Sequence, residues 1–197
     1  MITDIEDLIE KIRKYTQVSV SESRYKHSVR TAETAAELCE RYGMDKKMGY
    51  LAGISHDMCK ALSSELLISI ASRDGKPILE IEKNKPALLH GRAAAVKLKE
   101  EFDVDDPDLI EAVANHTFGL KGMCNLSKVL YVADKIEPGR EHITESYLKK
   151  LKELDLNELA ATVLQENIDF LKKKGKTVAS ESEELLKWLR EECNEKS

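Results

Sequence analysis

Residues 52–60 read AGISHDMCK, an apolar run that ends on His56 directly before Asp57, with Lys60 three residues further on. In a chain with only five histidines, the reading of that pair decides the rest. Taken alone it is a partly buried histidine satisfied by a neighbouring carboxylate. Its surroundings are helical in pattern. Apolar residues recur at three- and four-residue spacing on both sides, as Val29, Ala32, Ala36, Cys39 and Tyr42 before it and Leu126, Val129, Leu130, Ala133 and Ile136 after it. No alternating strand pattern survives, so the expected fold class is all-α.

Helices are expected near residues 3–15, 21–42, 45–60, 63–73, 86–101, 107–116, 125–137, 144–153, 156–173 and 181–193. The punctuation agrees. SVSE at 19–22 and SESE at 180–183 have the form of capping boxes, and Asp106 before Pro107 reads as a cap followed by the first helical residue. Gly43, Gly75 and Pro138-Gly139 mark stops. LKKKGK at 171–176 is a solvated helix end whose positive charge suits the C-terminal dipole. The stripe of Leu148, Leu151, Leu154, Leu159, Val163, Ile168 and Phe170 is expected to cover the core and to wall one side of a ligand pocket. Trp188 reads as packing and His142 as a surface residue.

A chain of 197 residues suits one domain, here a core over about 20–140 with covering helices over about 144–193. The charged fraction of 34% and the lack of any apolar run near the ~18 residues of a membrane span exclude a membrane protein. The acidic, helix-patterned start is not a secretory signal, so a cytoplasmic location is expected. A net charge of -5 disfavours extended nucleic-acid binding and directs attention to small ligands. Cys39, Cys59, Cys124 and Cys193 form no C-x-x-C and are expected to be reduced thiols. Oligomeric state is not readable, although a homodimer is allowed.

Four histidines fall into one scheme. His27 lies in RYKHSVR, His56 ends the third expected helix beside Asp57, His90 lies in PALLHGRAAA, His116 ends IEAVANH, and Asp134 sits in LYVADKIEPGR. Each helix also carries an apolar stripe, and a helical bundle brings such residues together in its core. Imidazole and carboxylate without thiolate suit iron or manganese, with zinc less favoured.

The order His, His-Asp, His, His, Asp, each on a separate helix, resembles the HD-domain metal-dependent phosphohydrolase superfamily over residues 20–140. That resemblance implies an all-helical bundle with His27, His56, Asp57 and Asp134 around one metal. His90 and His116 match the subset holding a second metal, bridged by Asp57. RYKHSVRTAETAAELCERYG, AGISHDMCK, ALLHGRAAA, ANHTFG and KVLYVADKIEPGR together resemble the YqeK family of bacterial HD hydrolases, ADKIEPGR most specifically. The resemblance implies a phosphoanhydride hydrolase that splits diadenosine tetraphosphate symmetrically into two ADP, a bis(5'-nucleosyl)-tetraphosphatase using a metal-activated hydroxide at a binuclear site. Two divalent ions, iron first and manganese second, and a small dinucleoside polyphosphate are the implied cofactors and partner. The chain departs from that family at EHITES, residues 141–146, where an aromatic and Pro-Gly are usual, and at KTVASES, residues 176–182, where His-Pro and Thr are usual.

Lys60, on the face of Asp57 if the helix continues through it, is expected to contact the phosphate chain. Arg140, in the loop after Pro138, offers a guanidinium for phosphate. Asp57, Lys60 and Arg140 form the expected catalytic set. Thr117 can donate to a phosphate oxygen or cap its helix. Arg24, one turn before His27, can reach the same cleft, whereas Arg92 points away from His90. Glu137 has no evident role beyond a pair with a nearby cation. Competing readings are a broader nucleotidase or phosphodiesterase, a di-iron oxygenase, and a non-catalytic nucleotide-binding module.

Overall fold

The computed structural model describes residues 4–141 and 143–194; the reading of His142 as a surface residue falls outside them. Among the described residues the chain is all-α. The helices run in the order α1 (Ile5–Ser19), α2 (Glu22–Arg41), α3 (Lys46–Ser55), α4 (Ser64–Ala71), α5 (Glu80–Asn84), α6 (His90–Glu101), α7 (Pro107–Asn115), α8 (Asn125–Ile136), α9 (Glu145–Leu151), α10 (Leu156–Lys173) and α11 (Ser180–Asn194). Short 3₁₀ turns at Ser72–Asp74 and Pro86–Leu89 lead out of α4 and into α6. None of these helices is long and apolar enough to cross a membrane.

The α2–α3 pair is the foundation of the bundle, and small residues let the two backbones meet. A Cβ placed on Gly53 would lie 2.3 Å from Ala32 Cα, and one on Gly49 would lie 2.6 Å from Ala35 O. These two helices carry His27 and end at His56, so their close approach sets the distance between the two rings. On the other side of α2 lies α8, whose expected stripe of Leu126, Val129, Leu130, Ala133 and Ile136 is buried throughout. Apart from the half-covered ends of the stripe, α10 buries Leu159, Val163 and Ile168 against α8 and α11.

Several boundaries differ from expectation for identifiable reasons. The third helix stops at Ser55 instead of running to 60. Ser55 Oγ donates back to Leu51 O (2.8 Å) and Ala52 O (3.1 Å), and His56 Nδ1–H takes Gly53 O (2.6 Å), the carbonyl that Asp57 N–H would need to continue the helix. The freed Ile54 carbonyl accepts from Thr16 Oγ1 (3.1 Å), which also explains why α1 runs past residue 15: Thr16 is buried in that contact. Residues 56–62 therefore form a tight turn held by Met58 N–H to Ser55 O and Lys60 N–H to Asp57 O.

The cap of α2 is Ser21, which accepts from Arg24 N–H, so Ser19 and Glu22 do not form a box. Ser180 lies inside α11, and its hydroxyl donates to Glu181, so the second expected box is also absent. Asp106 does cap α7, accepting from Leu109 N–H. The short α5 had no periodicity to reveal it. Arg92 points away from His90 and pins this region instead: its guanidinium bonds Asp74 through both carboxylate oxygens, Glu82, and the carbonyls of Lys76 and Pro77. Trp188 packs against the core. Phe170 does not join its stripe; it is 52% exposed.

Candidate metal and phosphate site

The turn after α3 puts His56 and Asp57 side by side at the centre of the bundle, both buried. α2 brings His27, α6 brings His90 at its first residue, the end of α7 brings His116, and α8 brings Asp134. The rings form a row: centroids are 5.2 Å apart for His27 and His56, 4.9 Å for His56 and His116, and 4.8 Å for His116 and His90.

Each ring is oriented by its Nδ1. His56, His90 and His116 point Nδ1 at the carbonyl three residues earlier, Gly53 O at 2.6 Å, Ala87 O at 2.7 Å and Val113 O at 2.8 Å. A carbonyl only accepts, so Nδ1 carries the hydrogen, and each ring in its neutral form presents an Nε2 lone pair inward. His27 does the same through a carboxylate, with Nδ1 3.1 Å from Glu137 Oε1. That carboxylate is itself held by Arg30 Nε and Gly139 N–H. Outer-shell partners of this kind orient metal-ligating histidines.

Two of the inward atoms, His27 Nε2 and His56 Nε2, confront acceptors instead of donors. His27 Nε2 is 3.1 Å from Asp134 Oδ1, and His56 Nε2 is 3.5 Å from Asp57 Oδ2. Both Nε2 atoms are buried without a hydrogen-bond partner among the described residues. On the far side His90 Nε2 lies 2.9 Å from His116 Nε2 and 3.0 Å from Asp57 Oδ1. Lone pairs turned toward one another in a buried space are the setting a cation relieves. Donor atoms of His27, His56 and Asp57 lie within 4.8 Å of one another, as do those of Asp57, His90 and His116. Asp57 belongs to both groups, and the donor set fits divalent metal.

The buried carboxylates and rings are electrostatically coupled: burial lowers the His56 pKa, but Asp57 and Asp134 outweigh it and raise it. Burial raises the pKa of the Asp57 carboxyl, but His56 and His90 outweigh it and hold the group well below its usual range. Asp134 is likewise pushed up by burial and drawn well below by Lys135, His27, His56 and Arg140. Burial and the neighbouring His90 and His56 rings hold His116 well below the ordinary imidazole value, so it stays neutral and able to ligate.

Arg24, Lys60 and Arg140 converge here. Arg24 Nη1 is 2.9 Å from Asp57 Oδ2, and Lys60 Nζ is 3.6 Å from Asp57 Oδ1 and 3.1 Å from His90 Nε2. Lys60 reaches Asp57 although α3 ends before it, because the tight turn restores the approach. Arg140 donates through Nε and Nη2 to the Asp134 carbonyl and through Nη2 to Oδ1 (2.7 Å), leaving Nη1 for another partner. The Thr117 hydroxyl is buried without a partner among the described residues and does not cap α7.

Lys135 escaped the sequence reading, and Glu137 was read only as pairing with a nearby cation, which it does with Arg30. Lys135 Nζ bonds Asp134 Oδ2 (2.8 Å) and the His116 carbonyl (3.1 Å), tying the two halves of the site together. Glu137 orients His27. Both lie in ADKIEPGR, whose distinctive sequence was the only signal for them.

A family model described as HD domain matches residues 24–139. The chain belongs to the HD-domain family. Within the family it is 36% identical over 170 residues to the symmetrical bis(5'-nucleosyl)-tetraphosphatase of Bacillus subtilis (strain 168), covering 86% of this chain and 91% of the relative. The enzyme of the same name from Halalkalibacterium halodurans is 31% identical, covering 81% of this chain and 84% of the relative. The crystal structure of a protein from Clostridium acetobutylicum, described as a predicted HD superfamily hydrolase involved in NAD metabolism, superposes with a TM-score of 0.85 at 33% identity, covering 93% and 97% of the two chains. This HD-domain chain therefore stands with the symmetrical tetraphosphatases inside the family, and its divalent-metal donor set lies within the matched residues.

Proposed function

We propose that the protein hydrolyses diadenosine tetraphosphate symmetrically, releasing two ADP, at a pair of divalent cations. The observation that carries this reading is Asp57, which contributes to two donor groups at once. His27, His56, Asp57 and Asp134 would hold one ion; Asp57, His90 and His116 would hold the other. Iron is the ion proposed, with manganese second, because the donors are imidazole and carboxylate without thiolate. Such a pair supplies Lewis acidity toward phosphate oxygens and lowers the pKa of a coordinated water.

The chain's own residues supply the rest. Arg24 and Lys60 flank Asp57, while Lys135 and Arg140 flank Asp134, so cationic groups stand on both sides of the centre. A tetraphosphate chain with its middle at the centre meets positive charge along both halves, which favours attack near the midpoint. Lys60 faces the chain with an ammonium whose proton affinity burial lowers and Asp57 partly restores. Arg140 offers Nη1, and Thr117 an unpaired hydroxyl, to phosphate oxygens. As the oxygen of water bonds to the second phosphorus, that phosphorus parts from the central bridging oxygen. The departing half keeps the bridging oxygen and leaves as ADP, the other half is ADP by addition of the water oxygen, and the water's hydrogens pass to products or solvent.

A cytoplasmic location belongs to the same proposal, supported by the free thiols of Cys39 and Cys59. Product chromatography after incubation of the iron- or manganese-loaded protein with diadenosine tetraphosphate tests the reading. ADP as the sole nucleotide product supports it, and ATP with AMP would overturn the symmetric assignment.

A further inference from the structure

Resting on that reading, we infer that one nucleoside of the substrate lies in the cleft between the end of α8, α9 and α10, with its base against Phe170 and Tyr147. The cleft has a volume of about 870 Å³, within the roughly 300–1,000 Å³ of small-molecule sites. Two of its lining residues, Lys135 and Arg140, are the cations bonded to Asp134 at 2.8 and 2.7 Å. A phosphate chain centred on the donor groups therefore passes these two side chains and continues into the cleft. Two other cavities lack this continuity. The one between α10 and α11 touches no site residue, and the one beside α2 and α9 reaches the site only through Arg30, behind Glu137.

The walls suit a base. Phe170 is the only aromatic among the large apolar side chains left exposed in the described residues, and it lines this cleft. Its position in the α10 stripe predicts burial, yet the residue is 52% exposed, with Lys174 Nζ 5.8 Å from the ring centroid on one face. Tyr147 donates its hydroxyl to Glu166, which fixes the phenol ring against α10. Asn167 donates Nδ2 to Tyr131 OH (3.2 Å), leaving Oδ1 as an acceptor at the cleft wall. Aromatic faces bind any nucleobase by stacking, and an acceptor nearby receives an exocyclic amino group. Glu141 and Ile143 also line the cleft. They belong to the EHITES segment where the chain departs from the family pattern, which makes this wall the place where its selectivity is set.

Isothermal titration of the manganese-loaded protein with ADP and with inorganic pyrophosphate separates base from phosphate. Wild type binds ADP roughly tenfold more tightly than pyrophosphate, the range of one stacked base. Phe170→Ala, at an exposed position, removes most of that preference while pyrophosphate affinity holds, and Phe170→Trp retains it. Equal affinity of wild type for the two ligands, or an undiminished ADP preference in Phe170→Ala, overturns the inference. Failure of the symmetric reading shows separately, as ATP and AMP in product chromatography, whatever the titrations give.

Discussion

Gly53→Ala tests the claim that helix contact distance sets the site. The added Cβ would stand 2.3 Å from Ala32 Cα, 2.6 Å from Ala32 N and 2.9 Å from Thr31 C. All three are backbone atoms, so no side chain can swing aside. Restoring contacts near 3.5–4.0 Å requires α2 and α3 to part by more than about 1 Å. Gly53 is helical, so the substitution carries no backbone strain, and the clash is the whole perturbation. Overpacking of this kind costs about 1–3 kcal/mol, which for a chain of this length lowers Tm by roughly 2–12 °C. The larger effect is local. His27 is on α2 and His56 follows α3, so the displacement separates two rings whose centroids are 5.2 Å apart. A misplacement of about 1 Å costs on the order of 100-fold in rate. Thermal unfolding, bound-metal analysis and turnover of diadenosine tetraphosphate on the same preparation check this. A variant that keeps wild-type Tm, metal content and turnover refutes the reasoning.

Gly91→Ala makes the same test on the other half of the site, since its Cβ would lie 2.9 Å from His116 Nδ1 and 2.8 Å from Val113 O; metal titration should show one ion weakened more than the other, and equal retention of both contradicts it. Glu137→Gln removes the charge that orients His27 and should weaken metal binding about 10–100-fold without unfolding the protein, as followed by competition with a chelator. Glu111 gives a pH dependence. Burial raises its carboxyl pKa, but Cys124 N–H (2.7 Å) and Ser127 Oγ–H (2.8 Å) outweigh that and depress it. A depressed carboxyl stabilises the fold above its unfolded pKa of about 4.3, and that stabilisation is lost as pH falls through the lower folded value. The Tm gap between wild type and Glu111→Gln should therefore be widest near neutrality and narrow in acid; a gap constant down to pH 3 counts against it.

The helical class was legible from periodicity, and the convergence of His27, His56, Asp57, His90, His116 and Asp134 from their order along the chain, which resembles the HD superfamily. The α8 stripe repeats over several turns, and the histidines sit at ends or inner faces of elements whose apolar sides point to one core. The end of α3 was not legible. AGISHDMCK is apolar enough to continue as helix, and the stop depends on Ser55 and His56 side chains taking backbone carbonyls, a competition no periodicity records. Lys135 was hidden by its neighbour: adjacent helical residues point about 100° apart, and only the length of the lysine arm returns its ammonium to Asp134. Glu137 lies beyond the last helical residue, where periodicity gives no direction. Phe170 matched the apolar spacing of α10, but that helix outruns the core it packs on, so its last aromatic faces a cleft.

If Asp57 serves two cations, a count of metal per chain will show it. Elemental analysis of wild type and Asp57→Ala after reconstitution with iron or manganese, with circular dichroism to show that both are folded, gives the answer. Roughly two ions per wild-type chain and loss of both in the variant are expected. Two ions retained by a folded Asp57→Ala protein, or none taken up by wild type, would contradict the role given to Asp57.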